Sequence, residues 1–234
     1  MKVQIWSDVM CPFCYIGKRR FEEALSVFDN AKDIEVEWKS FQLNPDLETN
    51  TSISIDQYLA DAKGWTVDYA QQLNGKVTDM AAQVGLTYHL DKAVVANSFD
   101  AHRFTHFAKQ HHAGDAAEEA LFRAYFTDGK NIDDKETLVE LGTEIGLNSD
   151  ELRHALDSDA YAGDVHRDIY EAQVLNIRGV PFFVMNDRYA VSGAQATEVF
   201  LNTLKTAHAE WAKNPQGLEI IEGENSCDID GGNC

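Results

Sequence analysis

The sequence predicts an α/β fold in which two halves of one sheet are separated by a large all-helical insertion. Three observations carry this prediction. Short β-type runs flank a single amphipathic helix at the start of the chain. From about Ser54 to Asn176 apolar residues keep helical spacing. Strand signals then return after Gly179, and two short strands cannot bury themselves without a partner sheet. The organisation that follows is a sheet-bearing domain over 1–47 and 177–214, a helical insertion over 48–176, and a flexible acidic tail with a cysteine pair over 215–234.

Taken in order, Val3-Gln4-Ile5-Trp6-Ser7 reads as a short strand. The helix behind it runs to about Asp29, with Cys14, Gly17, Phe21, Ala24 or Leu25, and Phe28 on one face at the 3.6 period. Ile34-Glu35-Val36-Glu37-Trp38-Lys39 alternates as a half-buried strand does, and Asn44-Pro45-Asp46 stops it. Ser54 with Gln57, Asp133 with Glu136 and Asn148 with Glu151 resemble capping boxes, and Asn97 is a further expected start. Apolar spacing places helices near 55–63, 67–84, 98–112, 115–127, 135–145, 149–156 and 160–176. Phe182-Phe183-Val184-Met185, the turn Asn186-Asp187 and Tyr189-Ala190-Val191 form a hairpin signal. A last helix spans about 197–212, with Val199, Phe200, Thr203, Leu204, Ala207 and Trp211 on its apolar face. Asn214-Pro215 ends it.

Hydrophobic content of 44% and charged content of 25% are those of a globular protein. A net charge of −19 argues against nucleic acid or an anionic membrane as partner. No run approaches membrane-spanning length. Met1-Lys2 leads straight into the first strand without a basic-then-apolar leader, so the expected location is cytoplasmic. Four cysteines in a chain this long do not make a disulfide framework; they form two distant pairs, Cys11 with Cys14 and Cys227 with Cys234.

Cys11-Pro12-Phe13-Cys14 falls at the strand-to-helix junction, where C-x-x-C signals thiol redox chemistry. With Cys11 as N-cap, Pro12 takes N1, where its missing N–H costs nothing. The free amides of Phe13 and Cys14 are then expected to donate to the Cys11 sulfur, and the helix dipole favours a thiolate there. Cys11 is expected to face solvent and attack; Cys14, on the buried stripe, is expected to resolve the mixed disulfide. An inert buried pair or half of a zinc site are the alternatives, and the placement disfavours both.

These motifs resemble the DsbA family of the thioredoxin superfamily, in its FrnE-type branch. The resemblance runs from Ser7-Asp8-Val9-Met10-Cys11-Pro12-Phe13-Cys14-Tyr15-Ile16-Gly17 through Phe41-Gln42-Leu43-Asn44-Pro45 and Asn97-Ser98-Phe99-Asp100-Ala101-His102-Arg103. It continues to Gly179-Val180-Pro181-Phe182-Phe183-Val184 and Ser192-Gly193-Ala194-Gln195. It implies a thioredoxin fold with an inserted helical domain, dithiol–disulfide exchange, and a cis peptide before Pro181 opposite the redox pair. Val180 would present its backbone to a bound substrate chain. The branch is related to glutathione-dependent 2-hydroxychromene-2-carboxylate isomerases and kappa-class glutathione transferases. Those enzymes typically carry serine where the attacking cysteine would stand, so both cysteines here favour exchange with protein or small-molecule thiols and disulfides. A glutathione-dependent isomerase or transferase acting on an aromatic or polyketide molecule is the alternative. No cofactor is expected; glutathione is a candidate redox partner.

Pro12, Phe13, Val180, Pro181 and His102 are the expected substrate-binding residues, since the insertion of this family caps the active site. His102 and His106 lie four apart, but no Glu accompanies them and Arg103 adds positive charge, so no metal site is expected. Phe13, Tyr15, Phe41, Phe182 and Phe183 suggest an apolar collar, although most such residues are core. Cys227 and Cys234 either shuttle oxidising equivalents to Cys11 and Cys14, form an incidental pair, or join them in a metal site.

Overall fold

A computed structural model describes residues 1–213. The central sheet contains β1 (Lys2–Ser7), β2 (Glu35–Ser40), β5 (Phe182–Met185) and β6 (Tyr189–Ser192), in the order β2-β1-β5-β6. β1 and β2 run parallel, with Val3 opposite Val36 and Ser7 opposite Ser40. A parallel pair needs a crossover, which α1 (Pro12–Ser26) supplies. β5 pairs antiparallel with both β1 and β6. Asn186 and Asp187 turn the hairpin with φ of 54° and 52°, left-handed values that Asn and Asp tolerate better than most residues.

Alternation along β1 divides its side chains between two layers. Val3 and Ile5 pack with Phe21 of α1, Phe28 just beyond it, Phe183 of β5, and Phe200 and Leu204 of α9 (Thr197–Trp211). Trp6 faces the other way, against Ala172, Ile177 and the half-buried Phe41. The stripe of α9 runs through Phe200, Leu204 and Ala207. Val199, one residue and about 100° off that stripe, is 42% exposed rather than part of the apolar face. α1 stops at Ser26, three residues before the expected end, although Phe28 stays buried in the turn that follows.

Between β2 and β5 lie α2 (Ile55–Lys63), α3 (Val67–Ala82), α4 (Phe99–Gln110), α5 (Gly114–Phe126), α6 (Lys135–Glu144), α7 (Ser149–Asp157) and α8 (Ala162–Val174). The segment is not purely helical, because β3 (Asn50–Ser54) and β4 (Val94–Val95) pair as a short antiparallel ribbon. Ser54 caps α2 through the Gln57 amide, and Asn148 caps α7 through Asp150 and Glu151. At α6 the cap is Asp134, not Asp133: Asp134 accepts from the Thr137 amide, while Asp133 accepts from the Thr49 hydroxyl. α4 starts at Phe99, whose amide donates to Asn97 Oδ1 at 2.8 Å. Phe104, Leu121, Phe122, Phe126, Leu138 and Leu152 form the core of this region, and Cys11, Cys14, Tyr15 and Ile16 of the redox segment pack into it. α1 is therefore shared between two cores. Cys227 and Cys234 lie outside the described residues.

Candidate active site

The Cys11 amide donates to the Asp8 carbonyl at 2.9 Å, closing the turn from β1 into α1. Cys11 is the N-cap in extended conformation, with Pro12 at the first helical position. Its sulfur, however, caps nothing. The Cys11 thiol points instead to the Val180 carbonyl, 3.5 Å away. Nor does Cys11 face solvent: it is 4% exposed. Tyr88 reaches over from the insertion and donates to the Pro12 carbonyl at 2.8 Å, while Met10 and Val180 pack against the same cluster. Phe13 is the motif residue left open, 39% exposed.

Cys14 is sealed beneath and is a free thiol, as is Cys11. Burial, then hydrogen bonding and repulsion from Cys11, push the Cys14 thiol well up; the Asp8 amide and the Ser7 hydroxyl act against them. The Val180–Pro181 bond is cis. Pro181 packs so closely on α1 that a Cβ built on Gly17 would stand 3.0 Å from Pro181 Cγ. Gly17 thus admits the proline beside the redox helix.

His102 is not a substrate-facing residue. It is 1% exposed, with Nε2 at 2.9 Å from the Phe41 carbonyl and 3.7 Å from Asp8 Oδ1. Burial opposes the charged ring, but Asp8, with Glu118 behind it, prevails and raises the His102 pKa. Asp8 is fully buried and also accepts from the amides of Met10 (3.3 Å) and Leu43 (2.7 Å). Glu118, on α5, is pushed up to about 7 by burial. Asp8, Tyr88 and Glu118 were not anticipated from sequence. Asp8 carried a signal, a charge at the inner end of a strand just before the motif; the other two depend on distant packing.

His106 turns away from His102 to meet Ser40 Oγ and Asp168 Oδ2, each at 3.1 Å. Both contacts use Nε2, so this is an ion network rather than a nucleophile–base–acid relay. Among the described residues no group of three or more His, Cys, Asp or Glu side chains has metal-holding geometry. The aromatic collar reduces to Phe13, because Tyr15 and Phe183 are buried and Phe41 and Phe182 are partly buried beside Trp6. An open pocket of about 670 Å³, lined by Gln42, Leu47, Phe99, Asp133 and His166 among others, includes neither cysteine. Among the described residues no helix is long and apolar enough to cross a membrane.

A C-x-x-C pair at the head of a helix, facing a cis-proline segment on a four-stranded sheet, defines a thioredoxin-like protein. More narrowly, the chain belongs to the DSBA-like thioredoxin domain family, whose model matches residues 2–205. It is 31% identical over 201 residues to the uncharacterized protein YwbO of Bacillus subtilis, covering 85% of this chain and 92% of that one. A probable DsbA oxidoreductase of Streptomyces coelicolor superimposes with a TM-score of 0.86 at 37% identity, over 99% of this chain and 97% of that one. A 2-hydroxychromene-2-carboxylate isomerase (TM-score 0.64, 16% identity, 94% and 100% covered) shares the fold. So does the cytosolic disulfide reductase DsbM of Pseudomonas aeruginosa (0.60, 16%, 92% and 99%). The protein is thus an oxidoreductase of the DsbA-like family.

Proposed function

We propose that this protein exchanges disulfides through Cys11 and Cys14, with Cys11 as the attacking thiol. The observation that supports this most is the asymmetry of the pair. Cys11 heads the helix and turns to the Val180 carbonyl at the rim, whereas Cys14 lies beneath it with its thiol pushed up by burial. The Cys11 thiolate attacks one sulfur of a substrate disulfide, and the other leaves as a thiolate. Cys14, deprotonated, then attacks Cys11 Sγ, forming the Cys11–Cys14 disulfide and releasing the second substrate thiolate. Val180 offers its backbone to an extended substrate chain, and Phe13 offers apolar surface. Protein disulfides are the substrates, and the compartment is the cytoplasm. Glutathione is the redox partner; a related fold, DsbM, has been solved with it.

The likeness in fold to a 2-hydroxychromene-2-carboxylate isomerase favours a second reading, a glutathione-dependent isomerase acting on an aromatic molecule. Insulin reduction and a trapping experiment decide between them. Cys14→Ser should accumulate mixed disulfides on Cys11 with protein thiols, and Cys11→Ser should abolish insulin reduction. Full insulin reduction by Cys11→Ser, or isomerase turnover without any Cys11 adduct, would overturn the first reading.

A further inference from the structure

Ser7 stands where the sheet would ordinarily place an apolar side chain. Alternation along β1 puts Val3, Ile5 and Ser7 on the face that meets α1. Val3 and Ile5 fill that face against Phe21 and Phe28. Cys14 heads the face of α1 that carries Phe21, so the alternation places Ser7, at the strand's end, toward the first turn of that helix. Ser7 is 1% exposed. Its hydroxyl has no hydrogen-bond partner among the described residues. Ser40, its neighbour across the parallel register, already spends its own hydroxyl on His106.

A buried hydroxyl without an acceptor is costly to keep. It becomes useful when an anion forms beside it. In the dithiol state shown here the Ser7 hydroxyl makes no formed hydrogen bond, and with the Asp8 amide it acts in favour of the Cys14 thiolate. We infer that Ser7 is the side-chain donor that stabilises the Cys14 thiolate during disulfide exchange. This rests on the exchange reading above. Both directions of the reaction pass through that anion. In one, Cys14–S⁻ attacks Cys11 Sγ and expels the substrate thiolate. In the other, an incoming thiolate attacks Cys11 Sγ and Cys14 leaves as Cys14–S⁻. In each case one S–S bond forms as one breaks, and the electron pair ends on the departing sulfur. The Asp8 amide acts on the Cys14 thiol in the same sense.

Stopped-flow reaction of the full chain with a dithio-nitrobenzoate reagent tests the assignment, with Cys227 and Cys234 replaced by serine. The first equivalent of coloured thiol reports attack by Cys11; the second reports attack by Cys14 on the Cys11 adduct. Ser7→Ala should leave the first phase unchanged and slow the second by about tenfold, the loss of one hydrogen bond to a charged group. The slowing should persist across the pH range in which the second phase accelerates, and Ser7→Thr, which keeps the hydroxyl, should restore the rate. A second phase at the parental rate in Ser7→Ala overturns the inference, as does equal slowing of both phases, which marks a structural role. If Cys11 traps no protein substrate yet only the second phase depends on Ser7, the exchange reading falls while the Ser7 assignment stands.

Discussion

On its sheet side α1 lays Phe21 against Phe183 and Phe200, with ring centroids 5.4 Å and 5.9 Å away. On its other side Lys18 and Arg19, both paired with Glu22 of the same helix, meet Asp115 and Glu119 of α5. Lys18 is 2% exposed, as buried as Phe21. Charge also joins β2 to the insertion: Lys39 Nζ lies 2.9 Å from both Asp168 and Glu171, and the Ser40 amide donates to Asp168 at 3.0 Å. The sheet layer is thus held by interlocking rings, whereas the insertion adds matched ions to the apolar packing of Tyr15 and Ile16 against its own core. Rings in a core tolerate small displacements. A buried ion pair repays its desolvation only when each partner meets the other. The redox helix is therefore anchored by apolar area on one side and indexed to the insertion by geometry on the other.

The largest expected effect lies on the apolar side. Phe21→Ala should cost about 3–5 kcal/mol, the range for removing a buried ring. Equilibrium denaturation reads this directly. A loss under about 1 kcal/mol, below that range, would mean the rings do not carry the sheet layer.

Next comes the ion seam. Asp168→Asn leaves Lys39 with Glu171 and Glu37 and turns an amide toward the Ser40 N–H, so a loss of about 2–3 kcal/mol is expected, less than for an ion stripped of every partner. The Asp168 carboxyl lies at about 2: burial raises it, but His106, Ser40 and Lys39 more than compensate. A folded pKa below the unfolded one contributes stability above the unfolded value of 3.8, lost as pH falls through about 2. The Phe21, Phe183 and Phe200 rings contact one another directly and carry no ionisable group themselves. Acid should therefore release amide protection in α8 before β1, after correction for intrinsic exchange. Simultaneous loss would make the two sides one cooperative unit.

Glu118 responds with the opposite sign. Its folded pKa of about 7 lies above the usual 4.5 because it is buried. Stability from this group is full in acid and falls between about pH 4.5 and 7 as the unfolded chain ionises first. His102, Asp115, Lys18 and Thr105 are the groups that face it. Glu118→Gln keeps the acceptor for Thr105 and removes the charge. It should raise the melting temperature at alkaline pH and change it little in acid. Equal shifts at both ends would assign the effect to packing.

The apolar side was legible in the sequence and the ionic side was not, for a physical reason. Cys14, Gly17, Phe21, Ala24 and Phe28 recur at the helical period, and local capping by Ser54 and Asn148 marked helix starts to within a residue. The spacing of Asp133 to Glu136 pointed one residue too early, because Asp134 is the cap of α6. Helix periodicity assigns polar residues outward, and nothing local marks Lys18 for burial. Its burial depends on α5, whose Glu119 is 104 positions from the Tyr15 that it binds. Cys11 was expected in solvent for the same reason: its cover, Tyr88, is 76 positions from Pro12. The β3–β4 ribbon escaped notice because Val94–Val95 is too short to show alternation. Periodicity reports which face is apolar; it does not report which polar face a later segment will cover.

Tyr15 gives the smallest expected effect and the sharpest test, because it belongs to both kinds of contact. Its ring stacks on Phe122 at 4.9 Å, while its hydroxyl donates to Glu119 at 2.6 Å and accepts from Arg19 at 3.2 Å. Tyr15→Phe keeps the stack and deletes the hydroxyl. Glu119 then retains Lys18 and Arg19, so the loss should be about 1.5 kcal/mol, the low end for a hydrogen bond to a charged group. A double-mutant cycle with Glu119→Gln isolates the pair. Coupling of roughly 0.5–1 kcal/mol, weakening as pH falls and Glu119 protonates, would show that the α1–α5 seam is set by ionic geometry. Coupling near zero at neutral pH would show that the stacked ring alone holds it, and the contrast between the two sides of α1 would disappear.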